Sequence, residues 1–170
     1  MQNVLRVNET EYSLVRLLGR GKGGYSYLAE KGGRRYVLKQ IHHEPCDYYQ
    51  FGDKLQSELT DYGRLRELGL RMPELYAVDV PNERLLKEYI RGDTIAQLVE
   101  IDGVKPMYFD QMRQMCSLLY PAGLNIDYYP TNFVVQEDLL YYIDYECNAF
   151  MEQWSFENWG IQYWKKPNNA

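Results

Sequence analysis

The alternation of apolar and polar positions along the N-terminal half predicts a run of short strands. Val4–Val7 and Tyr12–Leu18 read as the first two, followed after a glycine-rich stretch by Tyr25–Ala29 and, after a turn at Lys31–Gly33, by Arg34–Ile41. The period then lengthens. Phe51, Leu55, Leu59, Tyr62 and Leu65 recur at three- and four-residue steps and predict a helix over Asp47–Leu68, stopped by Gly69 and Pro73. Leu75–Asp79 and Arg84–Tyr89 read as two more strands around Pro81-Asn82-Glu83, and Tyr89–Asp93 as a linker. Asp93 is expected to cap a short helix over Thr94–Glu100. Pro106 opens a second helix, with Tyr108, Met112, Met115 and Leu119 as its apolar stripe and Pro121 and Gly123 at its end. Phe133–Val135 and Leu139–Ile143 form an apolar hairpin around Gln136-Glu137-Asp138. The tail carries Trp154, Phe156, Trp159, Tyr163 and Trp164, expected to pack as replacement core, with an exposed docking patch as the alternative.

Three polar residues stand around that hairpin. Asp127 and Asn132 precede it and Asp144 follows its second strand, so the hairpin folds Asp144 back toward Asn132. An acid and an amide converging on one point offer hard oxygen ligands to a divalent cation, and a second acid beside them can take a proton. Capping of a local turn is the other reading of Asp127 and Asn132.

The N-terminal half adds a second set. Gly19, Gly21, Gly23 and Gly24 lie within six residues between two strands. Backbone without Cβ atoms can approach phosphates closely. The loop leads into a strand and not a helix, which argues against a P-loop or a dinucleotide-binding turn. Lys39 interrupts an otherwise apolar strand. Glu58 borders the helix's buried face, where a carboxylate needs a partner, and Lys39 is the candidate.

Composition narrows the options. The chain has 170 residues, 45% hydrophobic and 25% charged, which allows one domain or two small lobes. A net charge of −5 leaves no electrostatic footprint for nucleic acid. No apolar run reaches membrane-spanning length and the N-terminus has no signal-peptide core, so a cytoplasmic protein without a membrane partner is expected. Cys46, Cys116 and Cys147 are far apart and read as reduced thiols. His42, His43 and Cys46 lack a fourth ligand at zinc spacing.

Taken in order, these motifs resemble the protein-kinase-like superfamily. LGRGKGGYSYLAE is similar to the glycine-rich loop (Gly19, Gly21, Gly24), VLK to the strand lysine motif (Lys39), and Glu58 falls at the helix glutamate that pairs with it. LLKEYIRGDT resembles the hinge, with Glu88 to Ile90 offering backbone to adenine. IDYYPTN resembles the catalytic loop, with Asp127 as base and Asn132 as metal ligand, and IDYE the metal-binding segment with Asp144. The chain departs from the family at Asn125 and Ile126 (histidine and arginine), Tyr129 (lysine), Tyr145 and Glu146 (phenylalanine and glycine) and Ser26 (valine). With 26 residues after Asp144, counted as 170 less 144, a long activation segment and a large helical lobe are not expected.

The resemblance is therefore to the smallest atypical kinases: the RIO kinases and the kinase-like ATPase of the KEOPS complex. It implies an α+β, two-lobed fold. Residues 1–90 would form an N-lobe of antiparallel sheet plus one helix, and 91–170 a much reduced helical C-lobe. It implies ATP and magnesium (Mg²⁺) as cofactors, phosphotransfer of the serine/threonine-kinase type or ATP hydrolysis, and a protein partner or protein substrate. A pseudokinase, using the fold as an interaction module with or without nucleotide, is the alternative. A small-molecule kinase of the aminoglycoside type is disfavoured because the chain lacks the helical insertions that build such a pocket.

Overall fold

The computed structural model describes residues 3–21, 23–43 and 53–167. The chain is α+β, with an antiparallel sheet and few helices, and divides into two compact units: Met1–Glu58 with Pro73–Tyr89, and Leu59–Met72 with Ile90–Ala170.

The first unit is a six-stranded antiparallel sheet of β1 (Val4–Val7), β2 (Thr10–Arg20), β3 (Gly24–Lys31), β4 (Arg34–Ile41), β5 (Leu75–Asp79) and β6 (Arg84–Glu88), in the order β1-β2-β3-β4-β6-β5. Alternation along the strands puts Val7, Ala29, Leu38 and Leu86 in one core cluster. Lys39, one residue on from Leu38, faces the other way, opposite Ser26 of β3 and Leu85 of β6. The sheet curls until its two ends meet. Asp79 of β5 accepts the backbone N–H of Asn8, in the β1–β2 turn, at 2.7 Å.

Two strands run further than the apolar pattern predicts. β2 continues to Arg20, because Gly19 pairs with Ser26 and Arg20 with Tyr25 after two bulges, at Leu14/Arg16 and Leu17/Gly19. β3 begins at Gly24, paired with Ile41. Gly19 and Gly24 therefore belong to the ladder, and of the four glycines only Gly21 and Gly23 stand outside it.

The helix expected over Asp47–Leu68 is α1 (Lys54–Leu68), and its expected start, with Asp47 and Phe51, lies outside the described residues. Asp53 Oδ1 accepts the N–H of Gln56 at 3.0 Å, an N-cap bond. Gly69, at φ 89°, ends the helix.

In the second unit, β7 (Asp93–Thr94), β9 (Phe133–Gln136) and β10 (Leu139–Tyr142) form one small sheet, and β8 (Leu124–Ile126) pairs with β11 (Cys147–Ala149) in another. The cap of α2 (Ile95–Glu100) is Thr94 and not Asp93: Thr94 and Gln97 form a reciprocal capping box, while Asp93 pairs with Val135 in the sheet. Gly92 makes that pairing possible, since a Cβ there would stand 1.9 Å from the Val135 carbonyl oxygen. Helix α3 (Pro106–Leu119) buries Tyr108, Met112, Met115 and Leu119, as its periodicity predicts. The β9–β10 hairpin turns on Glu137 and Asp138, both at positive φ. Tyr108 and Lys105 hold Asp138 Oδ1 at 2.8 and 3.1 Å.

The aromatic tail is part buried and part exposed. Phe156 and Trp164 enter the main core cluster beside Phe133 and Tyr142, and Trp164 Nε1 donates to the Tyr128 carbonyl at 2.8 Å. Trp154 and Tyr163 remain exposed. Among the described residues no helix is long and apolar enough to cross a membrane.

Candidate functional site

Each unit gathers one set of the residues singled out above. In the first, Gly21 and Gly23 are each braced. Gly21 N–H donates to the Gly24 carbonyl at 2.9 Å, and His42 N–H to the Gly23 carbonyl at 3.1 Å. The His42 ring reaches the Gly21 carbonyl at 2.8 Å. His42 thus acts as a clamp on the glycine turn. By sequence it stands out only as a possible metal ligand, although its place one residue past β4 is the signal that could identify it. His43 Nε2 lies 2.8 Å from both carboxylate oxygens of Glu83, and Cys46 lies outside the described residues.

Lys39 extends from β4 under this turn. A Cβ placed on Gly23 would stand 3.9 Å from Lys39 Nζ. The ammonium is ion-paired with Glu58 Oε1. The side chains are 15% and 9% exposed, so the pair sits in a poorly hydrated setting where charge is strongly felt. Glu58 Oε2 is buried without a hydrogen-bond partner. A buried carboxylate oxygen left unsatisfied is costly. Glu88, at the end of β6, exchanges backbone contacts with Glu74: its N–H donates to the Glu74 carbonyl at 2.8 Å, and its Oε1 accepts the Glu74 N–H at 3.1 Å. A nucleotide base would therefore find the Glu88 N–H already engaged. Ile90 is buried.

In the second unit, the chain from β8 turns through Asp127–Tyr129 into a single helical turn, Pro130–Asn132, and on into β9. Asp127 Oδ1 accepts the Tyr129 N–H at 3.2 Å, the i to i+2 bond of an Asx turn. Asn132 Nδ2 donates to the Asp127 carbonyl at 3.3 Å, which turns the amide oxygen of Asn132 to the other side. Both residues do shape the local turn. The Ile143 N–H donates to the Asn132 carbonyl at 2.9 Å, so the chain meets Asn132 one residue before Asp144. Both Asn132 and Asp144 are half-buried. An amide oxygen and a carboxylate are hard oxygen donors of the kind Mg²⁺ takes, with water completing its shell.

Tyr142 ties this segment together. Its hydroxyl accepts the Asp127 N–H at 3.3 Å and donates to the Glu146 carbonyl at 2.7 Å. Burial first, and then the nearby Asp144 charge, push its phenol well above the ordinary value, so it remains a neutral donor. By sequence alone it is one more apolar position of the second hairpin strand. Asn125 and Tyr145, both departures from the kinase pattern, are structural. Asn125 Nδ2 donates to the Met151 carbonyl at 3.0 Å and its Oδ1 accepts from Tyr128 at 3.0 Å. Tyr145 is buried, its ring 4.4 Å from that of Tyr62.

Two known proteins resemble the chain. It is 26% identical to the serine/threonine-protein kinase greatwall of Homo sapiens over 130 residues, 76% of this chain and 14% of the human protein. It is 24% identical to the EKC/KEOPS complex subunit bud32 of Dictyostelium discoideum over 84 residues, 46% of this chain and 33% of that protein. The chain thus corresponds to a minor part of each relative's length. No family model matches. The likeness is distant and of a protein-kinase-like kind.

Proposed function

We propose that the chain binds Mg·ATP and transfers the terminal phosphoryl group to a protein hydroxyl or to water. The observation that carries this reading is the Lys39–Glu58 pair under the glycine turn. An ammonium held by a carboxylate beside Cβ-free backbone is what polyphosphate binding needs. The backbone of Gly19, Gly21 and Gly24 would cover the phosphates, with Lys39 on the inner ones. Ile90 through its backbone, and Glu88 through its carbonyl since its N–H is engaged by Glu74, would frame the base. Asn132 and Asp144 would hold magnesium, which when bound neutralises charge on the phosphate oxygens. Asp127 would orient the acceptor O–H and take its proton as the oxygen–phosphorus bond forms and ADP departs. Such transfer depends mainly on positioning and charge, which a small scaffold can supply.

The test is ADP release from Mg·ATP by the wild type and by Asp144→Asn. A loss on the order of a hundredfold is expected, with the melting temperature retained. Equal rates in the two would overturn the assignment. A rise in melting temperature with Mg·ATP but no turnover in the wild type would indicate a nucleotide-binding module instead.

A further inference from the structure

Four rings run in contact over the surface of the second unit. Tyr129 meets Tyr163 at 5.3 Å between centroids, Tyr163 meets Trp159 at 5.2 Å, and Trp159 meets Trp154 at 5.8 Å. Tyr129, Tyr163 and Trp154 are 44%, 39% and 48% exposed. The strip is firmly seated. Gly160 is pressed against Tyr128, where a Cβ would stand 2.5 Å from the Tyr128 Cβ, and Trp164 is bonded to the Tyr128 carbonyl.

Elsewhere the chain supplies its own cations to its tyrosines. Arg20 lies 5.4 Å over Tyr25, Arg34 5.6 Å over Tyr36, and Arg66 5.8 Å over Tyr62. Among the described residues, none of the four strip rings carries such a cation. The sequence shows why: residues 114–164 contain seven carboxylates and no lysine, arginine or histidine. Glu152 and Glu157, both exposed, lie within the tail itself. Lys165 and Lys166 follow directly, but stand over none of these rings.

Exposed aromatic rings with no cation of their own over them, and with Asp127, Glu152 and Glu157 close by in sequence, attract a flat cation. We propose that the strip is a docking surface for an arginine-rich segment of a partner polypeptide, its guanidinium groups stacked on Trp154, Trp159, Tyr163 and Tyr129. The strip's Tyr129 end is two residues from Asp127. A serine or threonine within the docked segment would therefore be the acceptor, a clause that rests on the phosphotransfer reading, whereas docking itself does not.

The test is a titration followed by tryptophan fluorescence, without nucleotide, using a synthetic peptide of alternating arginine and serine. The wild type should bind this peptide. It should bind a lysine-for-arginine version more weakly and a glutamine-for-arginine version not at all. Trp154→Ala and Tyr163→Ala, each at an exposed position, should each weaken binding by about tenfold. No binding of the arginine peptide by the wild type would overturn the proposal. So would equal affinity for the lysine version, wild-type affinity retained in both variants, or preferential binding of oligothymidylate. The peptide comparison on the wild type decides the matter even if a variant fails to fold. Because no turnover is measured, failure here leaves the nucleotide reading to its own test.

Discussion

The backbone N–H of Asp127 donates to the phenol oxygen of Tyr142, a residue fifteen positions away, at 3.3 Å. The same hydroxyl donates to the carbonyl of Glu146 at 2.7 Å. One side chain thus joins the turn before the β9–β10 hairpin to the segment after it. Tyr142→Phe removes only the oxygen and leaves two backbone groups without this partner in a buried place. A loss of about 1–3 kcal/mol in urea unfolding is expected. If Asp127 and Asp144 act on one phosphoryl group, turnover of Mg·ATP should fall further than the stability loss accounts for. Unchanged stability would mean that water or another group replaces the hydroxyl.

The Lys39–Glu58 pair makes a second, separable prediction. Its side chains are largely buried, so removing one partner strands the other. Lys39→Met should cost about 3 kcal/mol in urea unfolding, since Glu58 already has one unsatisfied oxygen and would lose the bond to its other. The double variant Lys39→Met/Glu58→Leu should recover most of that loss, because an apolar pair carries no desolvation penalty. Nucleotide binding should be weakened in both, which separates the pair's role from its effect on stability. Strictly additive losses would show that the two side chains are not coupled.

Local rules made part of this structure legible. Strand alternation set Lys39 apart from its apolar neighbours, and helical spacing set Glu58 at the edge of a buried stripe, so their pairing could be anticipated. The α3 stripe and the hairpin fold-back of Asp144 followed from period alone. What could not be read were choices made by distant partners. Gly19 and Arg20 join the ladder because Tyr25 and Ser26 lie opposite them across two bulges, and bulges leave no mark in an apolar pattern. Thr94 displaces Asp93 as the α2 cap because Asp93 is drawn into pairing with Val135. Tyr142 looks like any strand aromatic until both groups that meet its hydroxyl are in place.

The glycines of the first unit separate by what surrounds them. A Cβ on Gly24 would stand 2.3 Å from the Gln40 carbonyl oxygen, whereas one on Gly21 would meet nothing within 4 Å. Neither has positive φ. Gly24→Ala should therefore destabilise the sheet by about 1–3 kcal/mol through forced backbone shift. Gly21→Ala should leave the melting temperature almost unchanged while weakening Mg·ATP binding, because the added methyl stands where phosphate would approach. Thermal unfolding with and without Mg·ATP reads both effects. Equal nucleotide-induced shifts in wild type and Gly21→Ala would remove the turn from the binding reading.

Asp79 couples the fold of the first unit to pH. Its carboxylate is buried and accepts from the Asn82 side chain at 3.0 Å, the Asn82 N–H at 3.1 Å and the Asn8 N–H at 2.7 Å. The Asn82 side-chain bond foremost, with the two backbone donors, holds its carboxyl below the ordinary value of 3.8. A carboxyl whose affinity for protons is lowered by folding stabilises the native state above its unfolded value. That stabilisation is lost as pH falls through the folded value, so the window lies below about pH 4. Asp79→Asn keeps one acceptor oxygen but loses the charge. It should cost about 1–2 kcal/mol at pH 7 and distinctly less near pH 2, measured by urea unfolding at both. An equal loss at the two pH values would mean that shape, and not the ionised carboxylate, closes the sheet between Asn8 and Asp79.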